Sequence, residues 1–227
     1  TIDTSPEYGQ AERIIGNFLK ENNLKKNIKI ITKMPKNLSL KKEPEYIIKK
    51  TLENSMKNLS VPRIDTLLIH DIKDFMKVFS DKTLNLLNYL KKSKIVKKIG
   101  VSIYEKNDLK EIKNMIPINV VQLPISIIDQ RPIENGLVNE LKKKKIKVHG
   151  RSIFLQGLIF MNPNKIPSNC RSLKYSVKKI QDFCKKRQIS VVKLCFMFLN
   201  TIKNLDSCVV GINSLKHINE ILVFQSS

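Results

Sequence analysis

Short apolar runs alternate with amphipathic segments along the whole chain. Leu84, Leu87 and Leu90 recur at the spacing of one helix face. Runs such as residues 28–33 and 66–70 are instead short and continuously apolar up to a final polar residue, as in buried strands. Strands that alternate with helices at intervals of roughly 20–40 residues indicate βαβ units and a parallel sheet.

The pattern gives a definite order of elements. The predicted strands end at Asp3, Lys33, His70, Ser102, Gln122 and Arg151, and a last strand covers residues 208–210. The predicted helices cover residues 11–22, 44–58, 82–92, 106–115, 133–144, 172–187, 191–200 and 214–224. Residues 161–168, rich in Pro and Asn, are predicted to form a long loop.

Six consecutive predicted strands end in a polar residue. A (β/α)8 TIM barrel places its active site at these carboxyl ends, so the pattern favours this α/β fold over a doubly wound sheet. No GxGxxG segment follows any predicted strand, which also disfavours a Rossmann domain. The sequence shows no interdomain linker, and we expect one domain over residues 1–227.

Composition narrows the class of protein. The net charge is +22, but Lys is spread over all the predicted helices, Arg is scarce and no aromatic residues interleave with the basic ones. This distribution favours solvated helix faces over a nucleic-acid surface. No apolar run reaches the roughly 20 residues of a membrane span. The four cysteines lack CxxC spacing, which indicates reduced thiols in a cytoplasmic protein and no metal site.

Residues 3–12 (DTSPEYGQAE) hold the most specific motif of the chain. Asp3 and Tyr8 lie in a turn marked by Pro and Gly, while Lys33 and His70 each end a later apolar run. An ammonium stabilises a phenolate, a carboxylate holds an ammonium, and an imidazole orients a carbonyl, so together these groups could protonate a carbonyl oxygen. Taken singly, they have ordinary alternatives as turn residues, a surface lysine and a core histidine.

In their order and strand-end placement these residues resemble the catalytic tetrad of the aldo-keto reductases, most closely over residues 3–9. The resemblance covers essentially the whole chain. It implies reduction of an aldehyde or ketone by NADPH (NADH is not excluded), with Tyr8 as general acid assisted by Lys33, Asp3 and His70. Compared with the family the chain starts at the second barrel strand, so we expect a fragment without the first strand and clipped at its C-terminus.

The same resemblance implies residues that bind the cofactor. Ser102 and Gln122 would bind the nicotinamide carboxamide, although Ile103 stands where the family usually has Asn. Arg151 occupies the position of a tyrosine that stacks on the nicotinamide ring. It could stack in its place or be a salt-bridged residue at the rim. Ser152 would approach the pyrophosphate.

A last segment, which includes Ser214 as a candidate N-cap, precedes the final helix. By resemblance, the residues that would grip the adenosine 2′-phosphate and adenine are Gly211, Asn213, Ser214, Lys216 and Glu220. His217 and Ile221 replace the family's usual Arg and Asn. An ordinary capped helix explains the same residues.

Other classes of function remain open from the sequence. A barrel-strand lysine such as Lys33 could form a Schiff base, as in a lyase or aldolase. The departures in the cofactor site also allow a degenerate, non-catalytic relative that only binds, and the charge allows association with nucleic acid. The leading interpretation expects a small-molecule carbonyl substrate as partner, with neither nucleic acid nor a membrane.

Overall fold

The computed structural model describes residues 1–25, 27–110, 115–212 and 214–222; for Lys216 it describes the backbone alone. The described residues contain seven strands that pair in chain order. They are β1 (Ile2–Asp3), β2 (Ile30–Lys33), β3 (Ile64–Ile69), β4 (Val96–Ser102), β5 (Val120–Pro124), β6 (Lys147–Arg151) and β7 (Ser207–Cys208). The pairs β1–β2, β2–β3, β3–β4, β4–β5 and β6–β7 are parallel.

Helices separate these strands, as the alternating pattern predicts. They are α1 (Ala11–Glu21), α2 (Pro44–Asn58), α3 (Ile72–Val78), α4 (Asp81–Lys92), α5 (Arg131–Glu134), α6 (Leu137–Lys143), α7 (Lys174–Arg187), α8 (Val191–Asn200) and α9 (Leu215–Leu222). Short 3-10 helices cover Leu38–Leu40, Lys106–Leu109, Leu155–Phe160, Pro163–Lys165 and Ser168–Leu173.

Local chemistry explains why helix α4 begins where it does. The Ser80 hydroxyl accepts a hydrogen bond from the Thr83 N–H, and the Thr83 hydroxyl accepts one from the Ser80 N–H, which makes a reciprocal capping box. Leu87 and Leu90, from the predicted apolar face, are buried. Capping and one buried face together account for this helix.

The chain forms two compact units. The first comprises Thr1–Gln122 with Lys144–Lys147, and the second comprises Leu123–Lys143 with Val148–Ser227. The boundary falls inside β5 and β6, so each of these strands contributes residues to both units. The single domain expected from the sequence stays a prediction.

In the first unit, the central strands pack closely through buried core residues. Ile31, Leu68 and Val120 form one buried cluster. Gly100 of β4 lies beside it, where an added Cβ would come within 2.6 Å of Leu68 Cδ2 and 2.7 Å of the Val120 carbonyl oxygen. Only glycine fits this close approach, which fixes the path of β4 towards Ser102.

In the second unit, helices α7 and α8 pack against each other. Val177 and Cys184 of α7 and Cys195 and Leu199 of α8 are buried. Burial, with Cys184 nearby, raises the pKa of the Cys195 thiol to about 12, so this cysteine stays protonated and packs as a small apolar residue. Cys208 is also a free thiol, and burial raises its pKa to about 11.

Several predicted helices differ from the observed ones. Helix α3 was not predicted; it is short, and Asp71 caps it by accepting from the Asp74 N–H. The single helix predicted over residues 133–144 is divided into α5 and α6 at Gly136, whose φ is +73°. Of the helix predicted over residues 106–115, the first part is a 3-10 turn, and residues 111–114 lie outside the described residues.

Smaller differences affect element ends. The helix predicted over residues 172–187 begins as a 3-10 turn and becomes α7 at Lys174. Strand β3 ends one residue before His70, and β5 continues past Gln122 to Pro124. Strand β7 ends at Cys208, before the predicted end at residue 210. Asp3, Lys33, Ser102 and Arg151 do end their strands.

Candidate active site

Backbone pairing brings Asp3 beside Lys33. Asp3 is the register partner of Ile31, and Lys33 lies two residues further along β2 on the same face. The Thr4 N–H donates to the Ile31 carbonyl at 2.8 Å, so the chain still follows β2 just past Asp3. The two charged side chains therefore leave neighbouring strands on one face of the sheet.

Lys33 carries a buried ammonium with two acceptors. Its Nζ donates to Asp3 Oδ1 at 2.5 Å and to the Thr4 carbonyl oxygen at 2.8 Å. The exposed fraction is 3% for the Lys33 side chain and 12% for that of Asp3. Charges so far removed from water persist only when paired and hydrogen-bonded, and this geometry meets that condition.

The turn between β1 and α1 carries Tyr8 to the same place. The Tyr8 N–H donates to the Ser5 carbonyl at 3.0 Å, and the Tyr8 carbonyl accepts from the Ala11 N–H at 3.1 Å. Gly9 sits between them with φ of +59°, a conformation that glycine adopts without steric cost. The Tyr8 side chain is 52% exposed, and its ring centroid lies 5.0 Å from Lys33 Nζ.

Asp3, Lys33 and Tyr8 thus combine a buried ion pair with a phenol open to solvent. A substrate can reach the exposed Tyr8 side chain, and a fixed positive charge lies 5.0 Å from its ring centroid. This arrangement is chemically suited to donating a proton to an oxygen.

Two carboxylates of the motif support this turn, and sequence reasoning gave neither of them a role. Glu7 accepts from the Lys36 N–H at 2.8 Å, and its other oxygen lies 3.7 Å from Lys36 Nζ. Glu12 is buried and accepts from the Thr32 hydroxyl at 2.7 Å. Both belong to residues 3–12, but only the fold shows that Glu12 binds Thr32 of β2 and that Glu7 binds Lys36, three residues past the end of β2.

His70 directly follows strand β3. The register pairs Leu68 with Lys33, and the Met34 N–H donates to the Leu68 carbonyl at 2.8 Å, so the ends of β2 and β3 run side by side. His70 is half-buried one residue past the end of β3. Its role in orienting a carbonyl stays a prediction.

Ser102 and Gln122 are register partners at the ends of β4 and β5. Both are buried, and Gln122 Nε2 donates to Asp3 Oδ2 at 2.8 Å. Ile103 is buried too, and its N–H donates to the Gln122 carbonyl at 2.9 Å. One strand pair thus presents a hydroxyl and an amide, the donor and acceptor types that a carboxamide needs.

In the second unit, Arg151 ends β6 and Ser152 begins an unusual turn. The Arg151 Nη1 lies 3.4 Å from the Ser152 hydroxyl oxygen. A hydrogen bond and charge from Arg131, together with the positive charge of Arg151, lower the pKa of Asp129 against the opposing effect of burial. A role for Arg151 in charge balance therefore stands beside the predicted stacking role.

The backbone after Arg151 is strained. Ser152, Leu155 and Gln156 have φ of +58°, +50° and +55°, and Gly157 has +90°. Non-glycine residues rarely adopt this conformation, and clusters of them occur at ligand-binding loops. The sequence marks only Gly157; the other three positions gave no signal.

The last predicted cofactor segment is described in part. Ser214 caps α9, since its hydroxyl accepts from the His217 N–H at 3.3 Å, as predicted. Gly211 is exposed with open space around it, and Glu220 is half-buried on α9. Asn213 and the side chain of Lys216 lie outside the described residues. Contacts of these residues with a cofactor stay predictions.

Two features of the described part of the chain bear on other functions. None of its helices has the length and apolarity needed to cross a membrane. Within the same ranges, no three side chains among His, Cys, Asp and Glu are grouped closely enough to hold a metal ion.

Strands and helices in this order, with a buried lysine–carboxylate pair beside a tyrosine, can be compared with known proteins. The model of the aldo/keto reductase family matches residues 1–224. The chain therefore belongs to the aldo/keto reductase family.

A curated relative and solved structures are consistent with this assignment. The chain is 26% identical over 164 residues to the aldo-keto reductase YhdN of Bacillus subtilis, a match that covers 70% of this chain and 49% of YhdN. The chain thus spans about half the length of the curated relative that it matches.

The solved structures include the thermostable aldo-keto reductase Tm1743 in complex with the inhibitor epalrestat (TM-score 0.72, 21% identity). They also include the holo form of the aldo-keto reductase AKR11C1 from Bacillus halodurans (TM-score 0.74, 19% identity). Each match covers 100% of this chain and 76% of the other. These likenesses support the fold of the family, and the described residues contain seven strands that neighbour one another in chain order.

Proposed function

We propose that the chain reduces an aldehyde or ketone to an alcohol, with Tyr8 as the general acid. The buried ion pair beside the phenol supports this role most directly. Lys33 Nζ is held by Asp3 and lies 5.0 Å from the Tyr8 ring centroid. Loss of the phenolic proton leaves a negative charge, and the fixed ammonium favours that charge without rearrangement.

Each neighbouring residue has a defined part in this proposal. Asp3 balances the charge of Lys33 and fixes its direction. His70 donates a hydrogen bond that orients the carbonyl. A bound NADPH supplies the hydride, and NADH is the alternative donor. The carbonyl oxygen takes its proton from the Tyr8 hydroxyl, which exposure leaves accessible.

The cofactor assignment follows the family membership and the donor set. Ser102 and Gln122 bind the carboxamide, Arg151 stacks on the ring or balances charge, and Ser152 approaches the pyrophosphate. The residues assigned to the adenosine end are Gly211, Asn213, Ser214, Lys216 and Glu220. Cytoplasmic location and a small carbonyl substrate belong to the same proposal.

Tyr8→Phe tests the proposal. We expect turnover to fall by about 10²–10⁴-fold, as for loss of a general acid, while the affinity for NADPH changes little. Steady-state kinetics and a fluorescence titration measure the two effects. Undiminished turnover in Tyr8→Phe would show that the acid is another group.

The chain offers a matched control in Tyr46→Phe. Tyr46 is 54% exposed, and Lys50 Nζ lies 5.6 Å from its ring centroid, so this is also a tyrosine beside a lysine. It belongs to α2 and is not part of the buried ion pair. Its substitution should leave turnover at the wild-type value.

A Schiff-base mechanism at Lys33 fits this geometry less well. Nζ donates to Asp3 and to the Thr4 carbonyl, and attack on a carbonyl carbon would have to break these hydrogen bonds. Treatment with borohydride and carbonyl substrate distinguishes the two reactions. A covalent adduct on Lys33 would favour the lyase or aldolase.

A further inference from the structure

We infer that Gln122 is a positioning residue of the proton donor: it holds the Asp3 carboxylate, and through it Lys33, against Tyr8. This inference rests on the proposed function. It adds to the predicted contact of Gln122 with the carboxamide a second task that concerns the acid itself.

Both oxygens of Asp3 are engaged, and by different strands. Oδ1 accepts from Lys33 Nζ of β2 at 2.5 Å, and Oδ2 accepts from Gln122 Nε2 of β5 at 2.8 Å. Strand β1 has only two residues, so its own backbone does little to fix the Asp3 side chain. Two donors on opposite oxygens fix the plane of the carboxylate.

Gln122 is itself well anchored. Its side chain is 2% exposed, its Cα pairs with that of Ser102, and its carbonyl accepts from the Ile103 N–H at 2.9 Å. Because its backbone is fixed by these contacts, the Gln122 amide can hold the Asp3 carboxylate, which lies 119 positions away in sequence. The rigid β4–β5 pair therefore determines where Asp3 points.

The type of donor also suits this task. A glutamine donates without charge, so Asp3 and Lys33 remain a neutral pair after it binds. A second cation would compete with Lys33 for Asp3, and a second carboxylate would repel Asp3. The amide thus orients the pair without changing the charge that Tyr8 meets.

The two tasks of Gln122 predict different kinetics. Nε2 is taken by Asp3, which leaves Oε1 to accept from a carboxamide. If Gln122 served the cofactor alone, its loss would weaken NADPH binding or misalign the ring, and its effect on kcat would be the same in the wild type and in Asp3→Asn. If it positions Asp3, kcat must fall even at saturating NADPH, and it must fall less in Asp3→Asn than in the wild type.

The test uses Gln122→Met, Gln122→Glu and the control Gln181→Met. Gln181 Nε2 donates at 2.9 Å to the carbonyl oxygens of Ile159 and Met161, so its loss also removes amide hydrogen bonds. We expect kcat of Gln122→Met at saturating NADPH to fall on the order of 10- to 100-fold. Gln181→Met should keep the wild-type kcat.

Gln122→Glu adds a pH readout that a merely structural role would not give. Its ionised carboxylate faces the charges of Asp3 and Lys33 and repels the former, whereas its protonated form can again donate to Asp3. We expect its kcat, relative to wild type, to recover as the pH is lowered. The relative kcat of Gln122→Met should stay flat over the same range.

A double-mutant cycle on unfolding by urea separates the bond from the catalytic proposal. Asp3→Asn and Gln122→Met should be non-additive if the residues contact each other. An unchanged kcat in Gln122→Met, in an active wild type, overturns the inference alone, as does strict additivity. A folded wild type that binds NADPH but reduces no carbonyl overturns the proposed function, and the inference with it.

Discussion

Among the residues of the site, Lys33 is the one whose loss we expect to lower the free energy of unfolding most. Its ammonium is among the most buried charged groups of the described chain, and it is stabilised by Asp3 and the Thr4 carbonyl. Such a pair contributes less by attraction than by the penalty that follows when one partner is removed. The site is therefore sensitive to changes that leave one charge alone.

Lys33→Met should cost about 3–5 kcal/mol of unfolding free energy, because it leaves the largely buried Asp3 carboxylate without its cation. Urea unfolding measures the loss. The matched control is Lys36→Met, which removes an exposed ammonium 3.7 Å from a Glu7 oxygen and should cost no more than about 1 kcal/mol. Equal losses in the two variants would contradict the buried-pair argument.

At the scale of elements, contacts between backbones decide how the helices dock. Helix α1 meets the end of α2 at Gly16, where an added Cβ would lie only 1.9 Å from the Asn58 carbonyl oxygen. No rotamer change can relieve a clash with backbone, so the two helices need glycine at this point.

Gly16→Ala should therefore destabilise the fold by about 1–3 kcal/mol or more, although alanine favours helices. Asn17→Ala is the control, since Asn17 is exposed on the same helix and its loss should change stability by only a few tenths of a kcal/mol. Thermal unfolding compares the two. A neutral Gly16→Ala would mean that α1 and α2 can separate at no cost.

A second contact between elements is electrostatic. Asp74 of α3 accepts from the Leu38 N–H at 2.6 Å and from the N–H and hydroxyl of Ser39. Burial alone raises the pKa of Asp74, but these hydrogen bonds and the charge of Lys77 outweigh it and lower the pKa below its ordinary value. The carboxylate thus holds the 3-10 turn after β2 against α3.

Because its pKa is lowered in the folded state, Asp74 stabilises the protein fully above the ordinary carboxyl pKa, and this contribution is lost as the pH falls through the lowered value. Asp74→Asn should cost about 1–3 kcal/mol near pH 7. Unfolding measured from pH 7 to pH 3 should show the difference from wild type shrinking. A pH-independent difference would mean that the charge of Asp74 does not contribute.

At the scale of the whole molecule, the net charge of +22 bears on the proposed binding of NADPH. A strongly cationic protein attracts a polyanionic cofactor, and salt screens that attraction. We expect saturable binding of NADPH to the folded chain, a higher melting temperature in its presence, and weaker binding as salt is added.

Fluorescence titrations with NADPH and NADH measure this binding and the preference between the two. A much tighter NADPH complex would support the assignment of Ser214 and its neighbours to the 2′-phosphate. A folded chain that binds neither would contradict the reductase proposal and favour a degenerate, non-catalytic relative.

The bounds of helix α2 and the choice of Tyr8 as candidate acid could be predicted from the sequence. Helix α2 has the predicted bounds because Pro44 begins it and its apolar spacing is periodic, and both are local signals. The strand-end positions of Asp3 and Lys33 could also be predicted, because they too depend on local signals. The division of residues 133–144 at Gly136 could not be predicted, because glycine also occurs within continuous helices and its positive φ is known only from the structure.

Periodicity, polar strand ends and one motif were enough to give the order of the strands, most of the helices, the family resemblance and the candidate acid. These signals are local or repeat at a fixed spacing, so they can be recognised from the sequence alone. The bond from Gln122 to Asp3, the acceptor role of the Thr4 carbonyl and the contact of Gly16 with Asn58 came only from the tertiary structure. Each depends on strand register or helix docking between distant segments, and these follow from packing of the whole chain.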